Sequence, residues 1–194
     1  MKKRIKIQGF LIFLSVMAVV FFYKQILQEG QSSLSNLIFS GIGLLLVISG
    51  YFLRIIARGH KADENPDGKT LVTTGVYKLM RNPMYFGTLL IGLGVILFLF
   101  KWWIAVIFLV VYLSIYIPEI TKEEAKLKNL FGEAFKNYCK HTPKFFPSLS
   151  VLFKRGGNRI FSVKPKWLKK EFSSLAWILA FLIIAKIIFN SILV

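Results

Sequence analysis

Three carboxylates at helical spacing are the first residues in this chain that could carry chemistry. Glu119, Glu123 and Glu124 follow directly on an apolar run, and Glu119 and Glu123 are four residues apart, so they share one side of a helix. Carboxylates on a partly buried face are costly unless they meet a cation. The spacing therefore allows two interpretations, and one is a cation-binding surface. The alternative is an ordinary solvated face on which Glu124 pairs with Lys128.

A second candidate lies at Asn82-Pro83, where the apolar run Met84–Phe100 begins. Pro83 suits the first turn of a helix, and Asn82 suits the N-cap position. A helix N-terminus at this point offers backbone N–H groups and a positive dipole end to a carboxylate. A loop that enters a helix explains the same residues without any ligand. His60, further upstream, could accept a proton, although an interfacial histidine is the commoner role.

The composition places these residues in a membrane protein. Hydrophobic residues make up 55% of the 194 residues and charged residues 18%, whereas about 25% is usual for charged residues in soluble proteins. The 26 Lys and Arg exceed the 9 Asp and Glu, a balance that suits nucleic acid or an anionic membrane surface. Because the apolar residues form long blocks, we favour the membrane and expect no nucleic-acid partner. One cysteine and two histidines argue against a structural metal site.

Five apolar blocks predict about five transmembrane helices. A helix needs about 20 residues to cross the hydrocarbon core, and flanking Lys or Arg side chains extend the shorter blocks. Residues 84–117 are too many for one crossing, so a tight turn is predicted at residues 100–102. The predicted spans are Gly9–Tyr23, Leu37–Leu53, Met84–Phe100, Trp102–Ile117 and Phe172–Val194.

The distribution of Lys and Arg predicts the orientation of these helices. The N-terminal tail carries 4, the first connection 1, the second connection (residues 54–81) 6, the hairpin turn 1 and residues 122–170 carry 13. This alternation places the N-terminus and the two strongly basic segments in the cytoplasm and the C-terminus outside. From about Glu119 to Lys140, apolar residues recur at helical spacing and predict an amphipathic helix that continues from the fourth span. The predicted fold is an all-α integral membrane protein.

Three motifs, taken in order, resemble those of a known superfamily. They are Leu71–Tyr77, then Arg81–Gly87, then Glu123-Glu124-x-x-Leu127 followed by Phe131-Gly132 and Tyr138. The series resembles the integral membrane methyltransferases that include the isoprenylcysteine carboxyl methyltransferases and the phospholipid (phosphatidylethanolamine) N-methyltransferases. It divides the chain into an N-terminal pair of transmembrane helices (1–57), a methyltransferase core (58–147) and a basic interfacial segment with a last transmembrane helix (148–194).

The resemblance implies methyl transfer from S-adenosylmethionine, bound in a cytoplasmic pocket, to a lipophilic acceptor that enters from the membrane lipids. It implies that the adenosyl part is wrapped by Lys69, Thr70, Leu71, Val72, Gly75 and Tyr77. The methionine part would be held by Asn82, Pro83, Met84 and Tyr85, and its ammonium group by Glu123, with Glu124 as the neighbouring candidate. Roles at the reacting groups are expected for His60, Arg81, Asn82 and Glu119.

Glu119 stands where the isoprenylcysteine enzymes place an arginine for the carboxylate of the substrate. A carboxylate at this position would repel a carboxylate and attract an amine, so we predict an amine or another non-carboxylate acceptor. The alternative is a non-catalytic lipid-binding or assembly factor built on a methyltransferase-like scaffold. Turnover distinguishes the two, and so does loss of cofactor binding on Glu123→Ala.

Overall fold

The structure of the chain, a computed structural model, describes residue 27, residues 34–148, residue 161 and residues 164–193. This part of the chain is helical, which confirms the all-α prediction. The helices are α1 (Leu34–Glu64), a short 3-10 helix (Gly75–Lys78), α2 (Pro83–Leu99), α3 (Trp102–His141) and α4 (Pro165–Leu193). The first predicted span, Gly9–Tyr23, lies outside the described residues.

Two of these helices, α1 and α3, are long and apolar enough to cross a membrane. The 17-residue α2 and the apolar part of α4, Leu175–Ile188, are shorter apolar helices. Large apolar side chains, among them Leu45, Val110 and Trp177, are exposed on the helix surfaces. Such continuous apolar surface is rare on a soluble monomer and is what a hydrocarbon environment requires.

The predicted helical hairpin is present. The Phe100 N–H closes the last turn of α2 by donating to the Ile96 carbonyl oxygen at 2.7 Å, and α3 begins two residues later. As predicted, α3 continues without interruption from its apolar half into the amphipathic segment. It breaks at Gly132, where the backbone φ of 51° is one that glycine adopts at little cost.

The first described helix is longer than its apolar block predicts. α1 continues eleven residues beyond Leu53 to Glu64, so Arg54, Arg58 and His60 lie on a helix rather than in the connecting segment. Residues such as Ala, Lys, Arg and Glu, which dominate this extension, are strong helix formers and tolerate water on one side. The extension places the basic end of α1 beyond the apolar block that ends at Leu53.

Helices α1 and α2 pack against each other, antiparallel, through two glycine pairs. A Cβ atom added at Gly43 would lie 2.6 Å from the Gly94 carbonyl oxygen, and one added at Gly50 would lie 2.6 Å from the Gly87 carbonyl oxygen. Seven residues, about two helical turns, separate the glycines on each helix, so each pair lies on one face. Small residues of this kind allow membrane helices to approach closely. The α1–α2 pair is the frame on which the other helices pack.

Helix α4 packs along α1. Near its start, Trp167 lies against Tyr51 and Ile55 of α1. Further along, Leu182 packs with Val47 of α1, and Lys186 donates hydrogen bonds to the Ser40 hydroxyl (3.2 Å) and the Phe98 carbonyl oxygen (2.9 Å).

Candidate functional site

A cavity of about 270 Å3 lies where the end of α1, the segment from Asn65 to Asn82, the start of α2 and the amphipathic half of α3 meet. Most of the residues predicted from the sequence line it. They are Thr70, Leu71, Val72, Tyr77, Arg81, Asn82, Pro83, Met84, Tyr85, Glu123 and Glu124.

Arg81 and Glu124 form the central ion pair of this cavity. The Arg81 Nε donates to Glu124 Oε1 at 2.9 Å and Nη2 to Oε2 at 3.3 Å, so the contact is bidentate. Both side chains are about one-eighth exposed. Arg81 also donates from Nη1 to the Cys139 carbonyl oxygen at 3.2 Å. The solvated surface considered for Glu124 is therefore wrong: this carboxylate is mostly buried and meets a guanidinium.

Asn82 occupies the N-cap position of α2, as predicted, but its side chain does not cap the helix. The Asn82 amide donates instead to Glu124 Oε1 at 3.0 Å and to the Lys144 carbonyl oxygen at 2.9 Å. These two hydrogen bonds direct the Asn82 side chain away from the first turn of α2. Pro83 is at the first helical position, as predicted. The start of α2 thus faces the cavity without a side-chain cap from Asn82.

Glu123 is in a different environment from Glu124. Its side chain is exposed, and Oε1 accepts a hydrogen bond from the Tyr85 hydroxyl at 2.7 Å. The Tyr85 hydroxyl orients this carboxylate without neutralising it, because a phenol carries no charge at neutral pH. Glu123 therefore presents negative charge at the wall of the cavity, close to the start of α2.

Two tyrosines, the buried Tyr77 and the partly buried Tyr138, hold the segment before α2 in place. The Tyr138 hydroxyl donates to the Tyr77 carbonyl oxygen at 2.6 Å, and the Tyr77 hydroxyl donates to the Ala57 carbonyl oxygen at 3.3 Å. Burial raises the pKa of both phenols well above the ordinary value. Both hydroxyls therefore stay protonated as donors, and they connect α3, the 3-10 helix and α1.

The chain after α3 closes the same region from the other side. The Arg81 N–H donates to the Pro143 carbonyl oxygen at 2.9 Å, and the Ser148 N–H donates to the Leu79 carbonyl oxygen at 2.9 Å. On the opposite wall, the Asn65 side chain accepts from the Thr70 N–H at 3.0 Å and shapes the loop. Backbone pairing thus fixes the position of the Arg81-Asn82 dipeptide.

Four of the predicted site residues do not line the cavity: His60, Lys69, Gly75 and Glu119. A His60 ring nitrogen lies 2.7 Å from the Thr74 hydroxyl, and the ring covers Gly75, whose φ is +57°. Lys69 is exposed. Glu119 lies 3.7 Å from Lys122 on α3. Glu119 lies on the same side of α3 as Glu123, as the helical spacing predicts. It is one turn nearer the apolar half of α3, however, and does not line the cavity.

Several lining residues were not predicted as site residues. On α3 they form the apolar face that the sequence pattern did identify. The others are Lys61, in the last turn of α1, and two residues of the turn at 65–68. They are Lys61, Asn65, Gly68, Leu127, Leu130, Phe131, Phe135 and Tyr138. The period of the α3 pattern predicts a buried face, but the pattern does not say whether protein or ligand covers it.

Helices with an apolar surface, together with a cavity lined by both charged and apolar side chains, define the class of this protein: an integral helical membrane protein. The model of the phospholipid methyltransferase family matches residues 36–134, just over half of the chain. The chain therefore belongs to this family, which confirms the resemblance to the isoprenylcysteine and phospholipid methyltransferase superfamily.

Individual relatives are named as isoprenylcysteine methyltransferases. Residue identity is 33% over 116 residues to "Protein-S-isoprenylcysteine O-methyltransferase B" of Arabidopsis thaliana, covering 56% of this chain and 59% of that protein. It is 32% over 116 residues to "Protein-S-isoprenylcysteine O-methyltransferase" of Rattus norvegicus, covering 56% of this chain and 41% of that protein. The chain thus spans about three-fifths or less of these relatives. No solved structure matches it.

Proposed function

We propose that this protein is a multi-pass membrane methyltransferase that uses S-adenosylmethionine, bound in the cavity between α1, α2 and α3, to methylate a lipophilic acceptor. One observation carries the proposal. Of two adjacent carboxylates, Glu124 is neutralised by Arg81, whereas Glu123 is exposed beside the start of α2. An exposed carboxylate and a helix N-terminus are together complementary to an α-amino acid.

The lining of the cavity fits three parts of this cofactor, the ammonium group, the carboxylate and the adenosyl part. Glu123 would hold the ammonium group, and the first turn of α2 at Met84 and Tyr85 would hold the carboxylate, because the first N–H groups of a helix lack intrahelical acceptors. The aromatic rings of Tyr77 and Phe131, also in the cavity wall, would cover the adenosyl part. Arg81 and Asn82 are positioning residues: they fix Glu124 and the entry to α2.

When bound, S-adenosylmethionine supplies a methyl group on a positively charged sulfur, and transfer requires in-line alignment with the acceptor. This chain provides alignment through the rigid α2 start and excludes water through the apolar face of α3. A smaller cavity of about 90 Å3, lined by Tyr51, Arg54, Ile55, Arg58 and Met84, adjoins the first one at Met84. Because Met84 lines both cavities, we propose that the acceptor reaches the methyl group past this residue.

For the acceptor we retain an amine or another non-carboxylate group as the proposal on the sequence argument from Glu119 alone, because Glu119 lies outside the cavity and 3.7 Å from Lys122. A carboxylate is the second candidate, favoured by Arg54 and Arg58 in the adjoining cavity and by the names of the relatives. Purified protein would be tested with an aminophospholipid and with a prenylcysteine as acceptors of a labelled methyl group. Efficient methylation of the prenylcysteine, unimproved by Glu119→Arg, would decide for the carboxylate.

The cofactor site itself is tested by calorimetric titration of S-adenosylmethionine into the detergent-purified full chain. Glu123→Gln keeps the size of the side chain and removes its charge, so we expect at least a tenfold rise in Kd, about 1.4 kcal/mol. Glu133→Gln, an equally conservative change at an exposed site outside the cavity, is the matched control. Unchanged affinity on Glu123→Gln would overturn the assignment. Binding without turnover on any acceptor would favour the non-catalytic lipid-binding or assembly factor.

We also propose five crossings, with the N-terminus and the cofactor cavity on the cytoplasmic side and the C-terminus outside. The support is the Lys and Arg distribution and the basic end of α1, which lies at the cavity.

A further inference from the structure

The segment between α1 and the 3-10 helix, residues 65–74, is held at both of its ends. We call it the cavity loop, because five of its residues line the first cavity: Asn65, Gly68, Thr70, Leu71 and Val72. At the start of the loop, the Asn65 side chain accepts a hydrogen bond from the Thr70 N–H at 3.0 Å. At its end, a His60 ring nitrogen lies 2.7 Å from the Thr74 hydroxyl. His60 belongs to α1, so the second contact ties the loop to a helix.

The Thr74 hydroxyl is committed to α1 rather than to the helix that it precedes. Thr74 is the N-cap residue of the 3-10 helix, yet its side chain makes no capping hydrogen bond. Its oxygen instead lies within hydrogen-bond distance of His60 Nε2, 14 residues away in the chain. A hydroxyl both donates and accepts, so it can bond to an imidazole nitrogen whether or not that nitrogen carries a proton. The contact therefore does not require one particular form of the histidine.

The His60 ring also packs on the residues that follow Thr74. A Cβ atom added at Gly75 would lie 2.8 Å from His60 Nε2, and Gly75 has a φ of +57°, so space and backbone both favour glycine. The ring stacks with that of Tyr77, with centroids 6.5 Å apart and planes inclined by 26°. The Tyr77 hydroxyl in turn donates to the Ala57 carbonyl oxygen of α1 at 3.3 Å. The last turns of α1 thus hold the end of the cavity loop and the start of the 3-10 helix.

His60 itself borders neither of the two cavities that the proposed reaction uses. Its neighbour Lys61 lines the first cavity, and Arg58 lines the adjoining one. A general base must come within hydrogen-bond reach of the proton that it takes, directly or through one water. The contacts described for His60 are with the end of the cavity loop, so its effect on a ligand would pass through that loop.

We infer that His60 is a positioning residue, which fixes the end of the cavity loop through Thr74 and Gly75 and so sets the wall that meets the cofactor. Holding a loop in its binding conformation lowers the entropy that binding would otherwise cost. The inference rests on the proposed function for the identity of the cofactor. The hold of His60 on the loop is a property of the chain without ligand.

Hydrogen–deuterium exchange of the full chain in detergent, without cofactor, tests this hold directly. The reporter is the Tyr77 amide, which donates to the Thr74 carbonyl oxygen at 3.1 Å. His60→Ala should speed its exchange at least about threefold, the effect of losing one hydrogen bond of ordinary net strength. His141→Ala changes the other histidine of the chain, which is exposed and outside the cavity, and should leave the exchange unchanged. Unchanged exchange on His60→Ala would overturn the inference.

Calorimetric titration of S-adenosylmethionine then distinguishes positioning from proton transfer. We expect His60→Ala to raise the Kd at least about threefold, whereas a residue that only accepts a proton from the methyl acceptor would leave this Kd unchanged. His60→Gln carries an amide that can reach the Thr74 hydroxyl, so it should restore both the Kd and the Tyr77 exchange. The double variant His60→Ala/Thr74→Val should bind no more weakly than His60→Ala, because both changes remove the same contact.

The remaining outcomes separate this inference from the proposed function. Additive losses in the double variant, or faster exchange on His60→Ala with an unchanged Kd, would overturn the positioning role. If the wild type does not bind S-adenosylmethionine, the proposed function fails, and the Tyr77 exchange still decides whether His60 holds the loop. Exchange of the α1–α2 contact should be equal in all variants, which checks that the rest of the fold is intact.

Discussion

Arg81 and Glu124, 43 residues apart in the chain, form an ion pair with an Nε to Oε1 distance of 2.9 Å that joins the segment before α2 to α3. The two consecutive carboxylates therefore differ in role. Glu124 forms a structural ion pair with Arg81, whereas Glu123 is exposed at the cavity wall. The sequence alone left open which of the two would meet the proposed cofactor, and the exposure of Glu123 is what supports its choice in the proposal.

Removing the Glu124 side chain should lower the free energy of unfolding more than removing an exposed carboxylate does. Glu124→Ala leaves the Arg81 guanidinium mostly buried without a counter-charge, a change that costs about 3 kcal/mol in comparable buried pairs. Thermal unfolding in detergent should show a midpoint lowered by several degrees. Glu133→Ala removes an exposed pair with Lys136 and should change the midpoint little, because exposed pairs contribute about 0–1 kcal/mol. Equal midpoints for the two variants would contradict the assigned role of the buried pair.

The glycine contacts between α1 and α2 give a second prediction. Gly50→Ala places a methyl group 2.6 Å from the Gly87 carbonyl oxygen, so the helices must separate, and overpacking of this kind costs about 1–3 kcal/mol. Gly41→Ala, on the same helix with nothing within 4 Å of the added atom, is the control. Thermal unfolding of the two variants measures the difference. A similar midpoint for both would mean that the α1–α2 contact is looser than described.

The sequence predicted the elements of this fold better than their contacts. Apolar blocks, the turn at residues 100–102 and the Pro83 start were readable because each depends on local chemistry. The ion pair between Arg81 and Glu124 was not, because it joins residues far apart in the chain. The glycine pairs were missed for the same reason: spacing within one helix does not reveal which face the other helix presents.

At Asn82, hydrogen bonds to residues far away in the chain override the local preference of an asparagine side chain for capping a helix. Asn82 has the residue type and position of an N-cap, yet its amide reaches Glu124 and the Lys144 carbonyl oxygen. Glu119 has the spacing to share the side of Glu123, yet the cavity ends before it. Glu119 is thus close to the site residues in the sequence without being part of the cavity wall.

The contact between α1 and α4 should depend on pH through Asp63. Hydrogen bonds from Lys164 and then Lys166 lower the pKa of Asp63 from 3.8 to about 2. A lowered pKa in the folded state means that the stabilisation is present above pH 3.8 and is lost as the pH falls toward 2. Tryptophan fluorescence, with Trp167 beside this contact, should change in that window. Asp63→Asn should abolish the change, and an unaltered transition in this variant would assign it to another group.

The crossing of α3 is open to a direct test because the chain has a single cysteine, Cys139. In a Cys139→Ser background, Lys101→Cys reports on the α2–α3 turn and Lys128→Cys on the amphipathic half of α3. The two positions are 27 residues apart, about 40 Å along the helix, more than the ~30 Å of the hydrocarbon core.

With intact cells and a membrane-impermeant maleimide, the cysteine at 101 should be labelled from outside. The cysteine at 128 should be labelled only after permeabilisation. This result would put the cavity beside Glu123 on the cytoplasmic side, where Lys and Arg are most numerous. Labelling of both positions from one side would show that α3 does not cross, and the five-crossing arrangement would have to be abandoned even if S-adenosylmethionine binds.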